Sequence, residues 1–186
     1  MTVDMSAVVC RNVESAVLNV KIAEAWTVVR QLDFSRITPG AVKDCSLLVP
    51  DQMFQSSPRA GKAVSLEDVE YKAMAISEPA MTPFTCGAAV GSLRRVVYRD
   101  GAEFVFRVVE LSDLQHSISY ELIQTDATLN VSSVLHTLHL VAVTETDDTL
   151  VVWTTEFSGD CDPHVYSDAK FKKLDAFKDM RHVLHK

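Results

Sequence analysis

Four side chains stand where acid–base or ligand-binding chemistry could occur: Arg94, Glu110, Tyr120 and His136. General acid–base catalysis needs a titratable pair within hydrogen-bonding reach of the substrate. His136 is the strongest candidate, because apolar neighbours would shift its pKa and its ring could hydrogen-bond a ligand. Such a histidine is more often satisfied by a core partner, and a tyrosine such as Tyr120 more often ties its hydroxyl to the backbone. Arg94 could anchor a charged head group.

Other chemistries find little support in the sequence. His136 and His139 have the spacing of a metal pair, but residues three apart on a strand point to opposite faces. Cys161 lies at a predicted helix start, where a thiolate is favoured, yet no second cysteine or histidine pair lies nearby in the sequence. Phosphate-loop, nucleophile-elbow and zincin signatures are absent from the sequence. We therefore expect no metal ion and no cofactor, and an enzymatic function would depend on family analogy alone.

The segments that carry these side chains are predicted to be antiparallel strands. Asp100-Gly101 is a strong tight-turn signal between two alternating runs. Further along, Ile118 and Tyr120 alternate with polar residues, which is typical of a strand with one wet face. The same logic places His136 on the inner side of its strand, with Val134, Leu138, Leu140 and Ala142. The predicted strands cover residues 93–99, 103–111, 116–125, 132–145 and 150–157.

A long helix is predicted to follow the last strand and to continue almost to Lys186. Asp162 and Pro163 have the residue types of an N-cap and a first helical position. Asp168 and Lys172 can pair at i,i+4 on the wet side. The apolar residues recur with gaps close to the helical period, and they are Tyr166, Ala169, Leu174, Phe177, Met180 and Leu184, widened by Phe171 and Val183.

The N-terminal part of the chain mixes both kinds of element. A strand is predicted over residues 5–13, a helix over 17–32 and a second strand over 42–49. Proline and serine then interrupt residues 50–86, which we interpret as an insertion that could serve as a lid.

Length and composition limit the protein class. The 186 residues suit a single domain, residues 1–186, with the insertion included. A net charge of −7 argues against nucleic acid and anionic membranes as partners. No apolar run reaches the roughly 18 residues of a membrane span, so no stable membrane insertion is expected. The absence of an export signal and four scattered cysteines predict a cytoplasmic protein with free thiols.

The order of these segments resembles the helix-grip fold of the START-like and birch-pollen-allergen-like superfamily, in its polyketide cyclase/dehydrase and lipid-transport branch. The resemblance covers nearly the whole chain except residues 50–86. The residues that carry it are Ala25-Trp26-x-Val28-Val29-Arg30, Val42-Lys43-Asp44-Cys45-Ser46-Leu47, Gly91-Ser92-Leu93-Arg94, Asp100-Gly101, Glu110-Leu111-Ser112-Asp113, Ser117-Ile118-Ser119-Tyr120, Val152-Trp153 and Leu174.

The resemblance implies an α+β protein in which a curved antiparallel sheet wraps around a long C-terminal helix. Members of the superfamily bind sterols, phospholipids, plant hormones or quinones in a cavity between sheet and helix, and some cyclise polyketides. We therefore expect this chain to bind an apolar, lipid-like small molecule as a carrier or sensor. The expected ligand-binding residues are Arg94, Phe106, Val108, Tyr120, His136, Leu138, Phe177 and Met180.

One departure from the superfamily bears on the ligand. Members related to the abscisic acid receptors have a Glu-Arg-Leu run where this chain has Phe106-Arg107-Val108, so an apolar ring replaces the acid and a less polar ligand is favoured. Two alternatives stay open. The protein could be a cyclase/dehydrase-like enzyme with His136 or Tyr120 as base. It could instead be an adaptor or quinone-chaperone-like module whose vestigial cavity is plugged by Phe104, Phe106 and Trp153.

Overall fold

The computed structural model describes residues 10–48 and 88–184. These residues form an α+β helix-grip fold: a curved antiparallel sheet holds a long C-terminal helix. The elements in chain order are β1 (Cys10–Leu18), α1 (Ile22–Val29), α2 (Phe34–Ile37), β2 (Val42–Leu48), β3 (Leu93–Tyr98), β4 (Glu103–Ser112), β5 (Ser117–Thr125), β6 (Val134–Val143), β7 (Asp148–Phe157) and α3 (Pro163–Leu184).

The sheet has the strand order β1-β7-β6-β5-β4-β3-β2, with antiparallel pairing between all neighbours. Between β4 and β5 the register shifts twice, once between Val105 and Phe106 and once between Val108 and Glu110. Such bulges bend a strand and increase its twist. The bend lets Phe104, Val105 and Phe106 all be buried, where strict alternation would expose one of them. The sheet is therefore concave towards α3.

Helix α3 begins as its sequence predicts. The Asp162 carboxylate accepts a hydrogen bond from the backbone N–H of His164 at 2.8 Å, which caps one of the free N–H groups of the first turn. Asp168 and Lys172 form the expected i,i+4 ion pair at 2.8 Å. At the other end of the helix, Asp179 accepts a hydrogen bond from Gly40 N at 2.8 Å and ties α3 to the turn before β2.

The face that α3 turns to the sheet changes in size along the helix. Ala169, Lys173, Ala176 and Met180 follow one another at three- or four-residue spacing and share this face with Phe177. Phe177 and Met180 are each 2% exposed and fill their part of the interface. The two alanines carry only methyl groups, so the helix side chains reach less far towards the sheet at Ala169 and Ala176 than at Phe177 and Met180.

Two predictions for the N-terminal part were wrong in extent. Residues 17–32 do not form one helix, because Val17 and Leu18 pair with β7 opposite Leu150 and Thr149 and so belong to β1. The helix α1 starts only at Ile22 and ends at Val29. The expected strand over residues 5–13 instead covers Cys10–Leu18 in the described part, and its earlier residues lie outside that part.

Smaller corrections concern exposed apolar residues. Phe171 does not widen the buried stripe of α3, since it is 63% exposed and Lys173 takes the sheet-facing position. Ala142, expected inside, is exposed where β6 nears its end at Val143. The other predicted strands differ from the observed ones by one to two residues at their ends. The predicted insertion at residues 50–86 lies outside the described residues.

Candidate functional site

A cavity of about 120 Å³ lies between the concave side of the sheet and the N-terminal half of α3. It exists because α3 presents Ala169 and Ala176 to a sheet that curves away from them. Most of its wall is apolar. The lining side chains come from the α2 region, five strands, the β5–β6 connection and α3, and they are Phe34, Thr38, Ala41, Tyr98, Phe104, Phe106, Tyr120, Leu122, Leu129, Val134, His136, Trp153, Phe157, Val165, Asp168, Ala169, Lys172, Lys173 and Ala176.

Aromatic rings form the sheet side of the cavity. The Phe106 ring lies 5.3 Å from the Tyr120 ring and 5.7 Å from the Phe34 ring, centroid to centroid. The Tyr120 ring stacks on the imidazole of His136 at 4.9 Å with an interplanar angle of 19°. Edge-to-face and offset contacts of this kind hold each ring against its neighbours. The wall is therefore preformed, which reduces the entropy lost when an apolar molecule binds.

His136 is held as a neutral imidazole. Its Nδ1 lies 3.0 Å from the Thr155 hydroxyl on β7, so the side chain has a fixed partner. Burial lowers the pKa of His136 to about 3, and the positive charge of Lys173 also acts in this direction. A base with such a pKa carries no proton at pH 7 and is a weak proton acceptor. In the wall, His136 can offer a ligand one uncharged hydrogen bond.

Lys173 is the most unusual group of the wall. Its Nζ donates to Asn12 Oδ1 at 2.8 Å, to Asn12 O at 3.2 Å and to Trp153 O at 3.2 Å. The side chain is 3% exposed, and within the described residues it forms no salt bridge. Burial lowers the pKa of Lys173 to about 8, opposed by the charge of Glu14. Lysines are rarely buried without a counter-ion, because three neutral oxygens replace water only in part.

Trp153 and Tyr120 form the deep part of the wall. The indole Nε1 of Trp153 is buried and makes no hydrogen bond to any part of the chain that the structure describes. Burial strongly raises the pKa of the Tyr120 hydroxyl. The nearby Trp153 indole N–H acts in the opposite direction and lowers this pKa. No acceptor lies in hydrogen-bonding geometry with the indole N–H among the described residues, so it remains a free donor in the wall. An indole N–H can only donate, and it favours a neighbouring oxygen.

The cavity opens beside Lys172 and Asp168, whose side chains line it and are 46% and 60% exposed. The Lys172 ammonium lies 5.3 Å from the centre of the Tyr98 ring and 6.0 Å from that of Phe104. Cations over aromatic faces are attracted by the ring quadrupole. The mouth therefore combines an exposed ion pair with two apolar rings.

Three of the eight expected ligand-binding residues line the cavity together: Phe106, Tyr120 and His136. The other five lie elsewhere. Arg94 is buried and donates through Nη2 to Gln31 O at 3.0 Å, which ties β3 to the end of α1 rather than to the cavity. The remaining four are packed in the hydrophobic core outside the wall, and they are Val108, Leu138, Phe177 and Met180.

Sequence reasoning missed the polar part of the wall. Lys173 lies four residues after Ala169 and three before Ala176, so it shares their buried face of the helix. Because Lys173 follows another lysine, Lys172, the sequence does not distinguish it from an exposed charged residue. Phe34 also lines the cavity, and no sequence pattern marks it for this role. Trp153 and Phe104, which would plug the cavity under the adaptor alternative, line it. His136 and His139 do face opposite sides of β6, since His136 is half-buried in the cavity wall and His139 is exposed.

Metal-binding clusters and membrane-spanning helices can be assessed for the described residues alone. No group of three or more histidine, cysteine or acidic side chains with metal-binding geometry is found among residues 10–48 and 88–184. In the same ranges, no helix combines the length and the apolar composition that crossing a bilayer requires.

Comparison with known proteins shows the fold. No protein-family model and no curated protein matches the chain. A solved structure of a Nitrosospira multiformis protein superposes with a TM-score of 0.65 at 15% identity, over 93% of this chain and 94% of that one. An uncharacterized Bacillus thuringiensis protein gives a TM-score of 0.64 at 13% identity, over 95% of this chain and 100% of that one. At these identities the likeness concerns the fold and carries no function.

Proposed function

We propose that this protein binds a small apolar molecule, as a carrier or sensor, in the cavity between the sheet and α3. The observation that carries the proposal is the hollow itself: rings from the sheet face the methyl groups of Ala169 and Ala176 across about 120 Å³. A cavity with apolar walls stays dry when empty and binds apolar molecules readily. The START-like superfamily, which the sequence resembles, uses the same space for its ligands.

The volume limits the size of the ligand. An engineered apolar cavity of about 150 Å³ in another protein holds benzene, and drug-sized ligands need roughly 300–1,000 Å³. A space of about 120 Å³ therefore suits one ring or a short hydrocarbon chain. A sterol or a phospholipid would have to extend through the mouth beside Lys172 or open the wall.

The alternative functions have weaker support. A cyclase-like mechanism needs a base, and the low pKa of His136, about 3, leaves little affinity for a proton in the transition state. An adaptor with a vestigial cavity would have the space plugged by Phe104, Phe106 and Trp153, whereas these side chains stand around it. The binding hypothesis uses both the cavity and its preformed aromatic wall.

Titration with small uncharged probes tests the proposal. Toluene, indole and 1-hexanol are added to ¹⁵N-labelled protein, and native mass spectrometry is run on freshly purified protein to detect a retained ligand. We expect saturable shifts of amides in β5, β6 and the first half of α3. In the variant Ala176→Leu, the added side chain occupies the cavity and binding should be lost.

The control is Ala142→Leu, which adds the same atoms at an exposed position of β6. It should bind as the wild type does. The proposal is wrong if no probe binds saturably to the wild-type protein, or if the Ala176→Leu variant binds the probes unchanged.

A further inference from the structure

We propose that the ligand of this cavity is a monocarboxylic acid, whose apolar part lies among the aromatic rings and whose carboxylate lies beside the Lys173 ammonium. The inference rests on the proposed function, since it names the chemical class of the ligand for the same site. The geometry that carries it is a buried cation in the wall of an apolar cavity, with only neutral oxygens around it.

The charge of Lys173 is solvated but not neutralised. Asn12 contributes an amide oxygen and a carbonyl oxygen, and Trp153 contributes another carbonyl oxygen. These oxygens replace the hydrogen bonds that water would give, but they leave a full positive charge in a medium of low dielectric constant. The charged and titratable groups that act on it are Glu14 from β1 and His136 from β6, and His136 is neutral. An anion that enters the cavity would supply counter-charge by replacing one of the two longer bonds of Nζ, to Asn12 O or Trp153 O at 3.2 Å, with a charged acceptor.

Two further groups of the wall also favour an anionic ligand over a cationic one. Trp153 Nε1 is a buried donor without a full acceptor, and Lys172 adds a second cation at the mouth. The carboxylate among the lining residues, Asp168, is exposed and already paired with Lys172. A cationic or donor-rich ligand finds few partners here, whereas an acceptor with a negative charge finds several.

A covalent bond to Lys173 is the competing chemistry, since a lysine with a lowered pKa can attack an aldehyde or ketone. The surroundings of Nζ oppose it. Three oxygen acceptors match the three hydrogens of an ammonium. A neutral amine has two hydrogens and would turn its lone pair towards one of these oxygens. The arrangement therefore favours an ion pair over an imine.

The test compares an acid with uncharged analogues of the same chain length: hexanoate, hexanamide and 1-hexanol. Calorimetry and amide-shift titrations are carried out on the full-length protein at pH 7. We expect hexanoate to bind at least about tenfold more tightly than 1-hexanol, which corresponds to a rise of about one unit in the pKa of Lys173 when the acid binds. Equal affinities would overturn the inference and leave the proposed function intact. Failure of all three ligands to bind would remove both.

The variants separate the two lysines. Lys173→Met should reduce hexanoate affinity at least about tenfold and leave 1-hexanol binding within a factor of about two. Lys172→Met tests the second cation at the mouth and should cost less than Lys173→Met, while Lys170→Met, exposed on the same helix and outside the cavity wall, is the matched control and should leave both affinities unchanged. The inference is wrong if Lys172→Met gives the larger loss, or if Lys173→Met weakens the acid and the alcohol alike.

The wild-type protein supplies a test that does not depend on how the variants fold. Hexanoate affinity should be constant near pH 7 and fall as the pH rises above about 8, where Lys173 loses its proton. Binding of 1-hexanol, which carries no charge, should not follow this profile. Treatment with hexanal and borohydride tests the covalent route, and a reduced adduct on Lys173 would overturn the ion-pair assignment.

Discussion

The two halves of the interface between α3 and the sheet differ in how their space is filled. In the C-terminal half, Phe177 and Met180 are each 2% exposed and lie outside the cavity wall. Towards the N-terminus, from Val165 to Ala176, the helix presents Ala169 and Ala176 to a hollow of about 120 Å³ that contains the Lys173 side chain in its wall. Both parts face the same sheet. The difference follows the size of the helix side chains that face it.

The comparison separates two roles. Dense packing gains dispersion contacts and removes apolar surface from water, so the filled half should provide most of the stability of the interface. The hollow half gives up such contacts and also buries a lysine and a histidine, both of which lose hydration. Protein interiors are usually packed to high density, so an open region with polar groups is a candidate for function rather than stability.

The largest effect is expected from the filled half. Phe177→Ala should lower the free energy of unfolding by about 3–5 kcal/mol, because it removes a buried ring that contacts Trp153 at 6.2 Å between centroids. The matched control is Phe171→Ala on the same helix, which is 63% exposed and should change stability by no more than about 0.5 kcal/mol. Urea denaturation followed by circular dichroism measures both. Similar losses in the two variants would contradict the assignment of the faces of α3.

The second effect concerns His136 and acid. Its pKa is about 3 in the folded protein and about 6.5 in the unfolded chain, so the unfolded chain binds the proton first. The stability that depends on neutral His136 is complete above pH 6.5 and is lost as the pH falls from 6.5 towards 3. The loss can reach about 1.4 kcal/mol per pH unit.

The variant His136→Phe isolates this contribution, because it retains a ring next to Tyr120 and has no proton to bind. The difference in unfolding free energy between the variant and the wild-type protein should grow in favour of the variant as the pH falls below 6.5. A difference independent of pH between 4 and 7 would show that His136 titrates normally.

The third effect concerns Lys173 and base. Its pKa is about 8 in the folded protein and about 10.5 in the unfolded chain, so the unfolded chain holds more protons between these values. Stability should therefore rise with pH from about 8 to 10.5, by at most about 1.4 kcal/mol per unit. Below pH 8 this group contributes no slope. The difference in unfolding free energy between the wild-type protein and Lys173→Met, measured by denaturation from pH 7 to 10.5, should change in favour of the wild type above pH 8, and a difference independent of pH would contradict the assignment to Lys173.

The sequence predicted the fold better than the site, and the strands show why. Alternation along β5 and β6 identifies the inner face, and Tyr120, His136 and Leu138 are all buried there or in the wall. Alternation does not tell how far along the strand the hollow begins. Leu138 shares the face of His136 but lies in the packed core outside the wall. Whether an inward-facing residue of a strand lines the cavity or lies in the packed core depends on the α3 side chains opposite it.

Helix α3 gives the complementary lesson. Its period indicated that Phe177 and Met180 face the sheet, and both do. Whether these two residues contact a ligand depends on which helical turn of α3 lies over the cavity. The positions of the small residues of α3 determine this. Phe171 is exposed and Lys173 is buried, although hydrophobicity alone favours the phenylalanine for the interior. Lys173 is held inside by Asn12 on β1, 161 residues earlier in the chain, a pairing that no local pattern contains.

The smallest effect is a direct test of hollow against filled space with one substitution at two positions. Ala176 and Ala25 are both buried helical alanines, at 4% and 0% exposure, but only Ala176 lines the cavity. Extra carbon atoms in a packed core cost typically about 1–3 kcal/mol, so Ala25→Leu should destabilise by this amount. At Ala176, the new atoms enter empty apolar space, and Ala176→Leu should lie within about 1 kcal/mol of the wild type or be slightly more stable. Chemical denaturation of the two variants at pH 7 decides between them. If Ala176→Leu is the more damaging substitution, the N-terminal half of the interface has no room for a side chain, and it has none for a ligand of that size either.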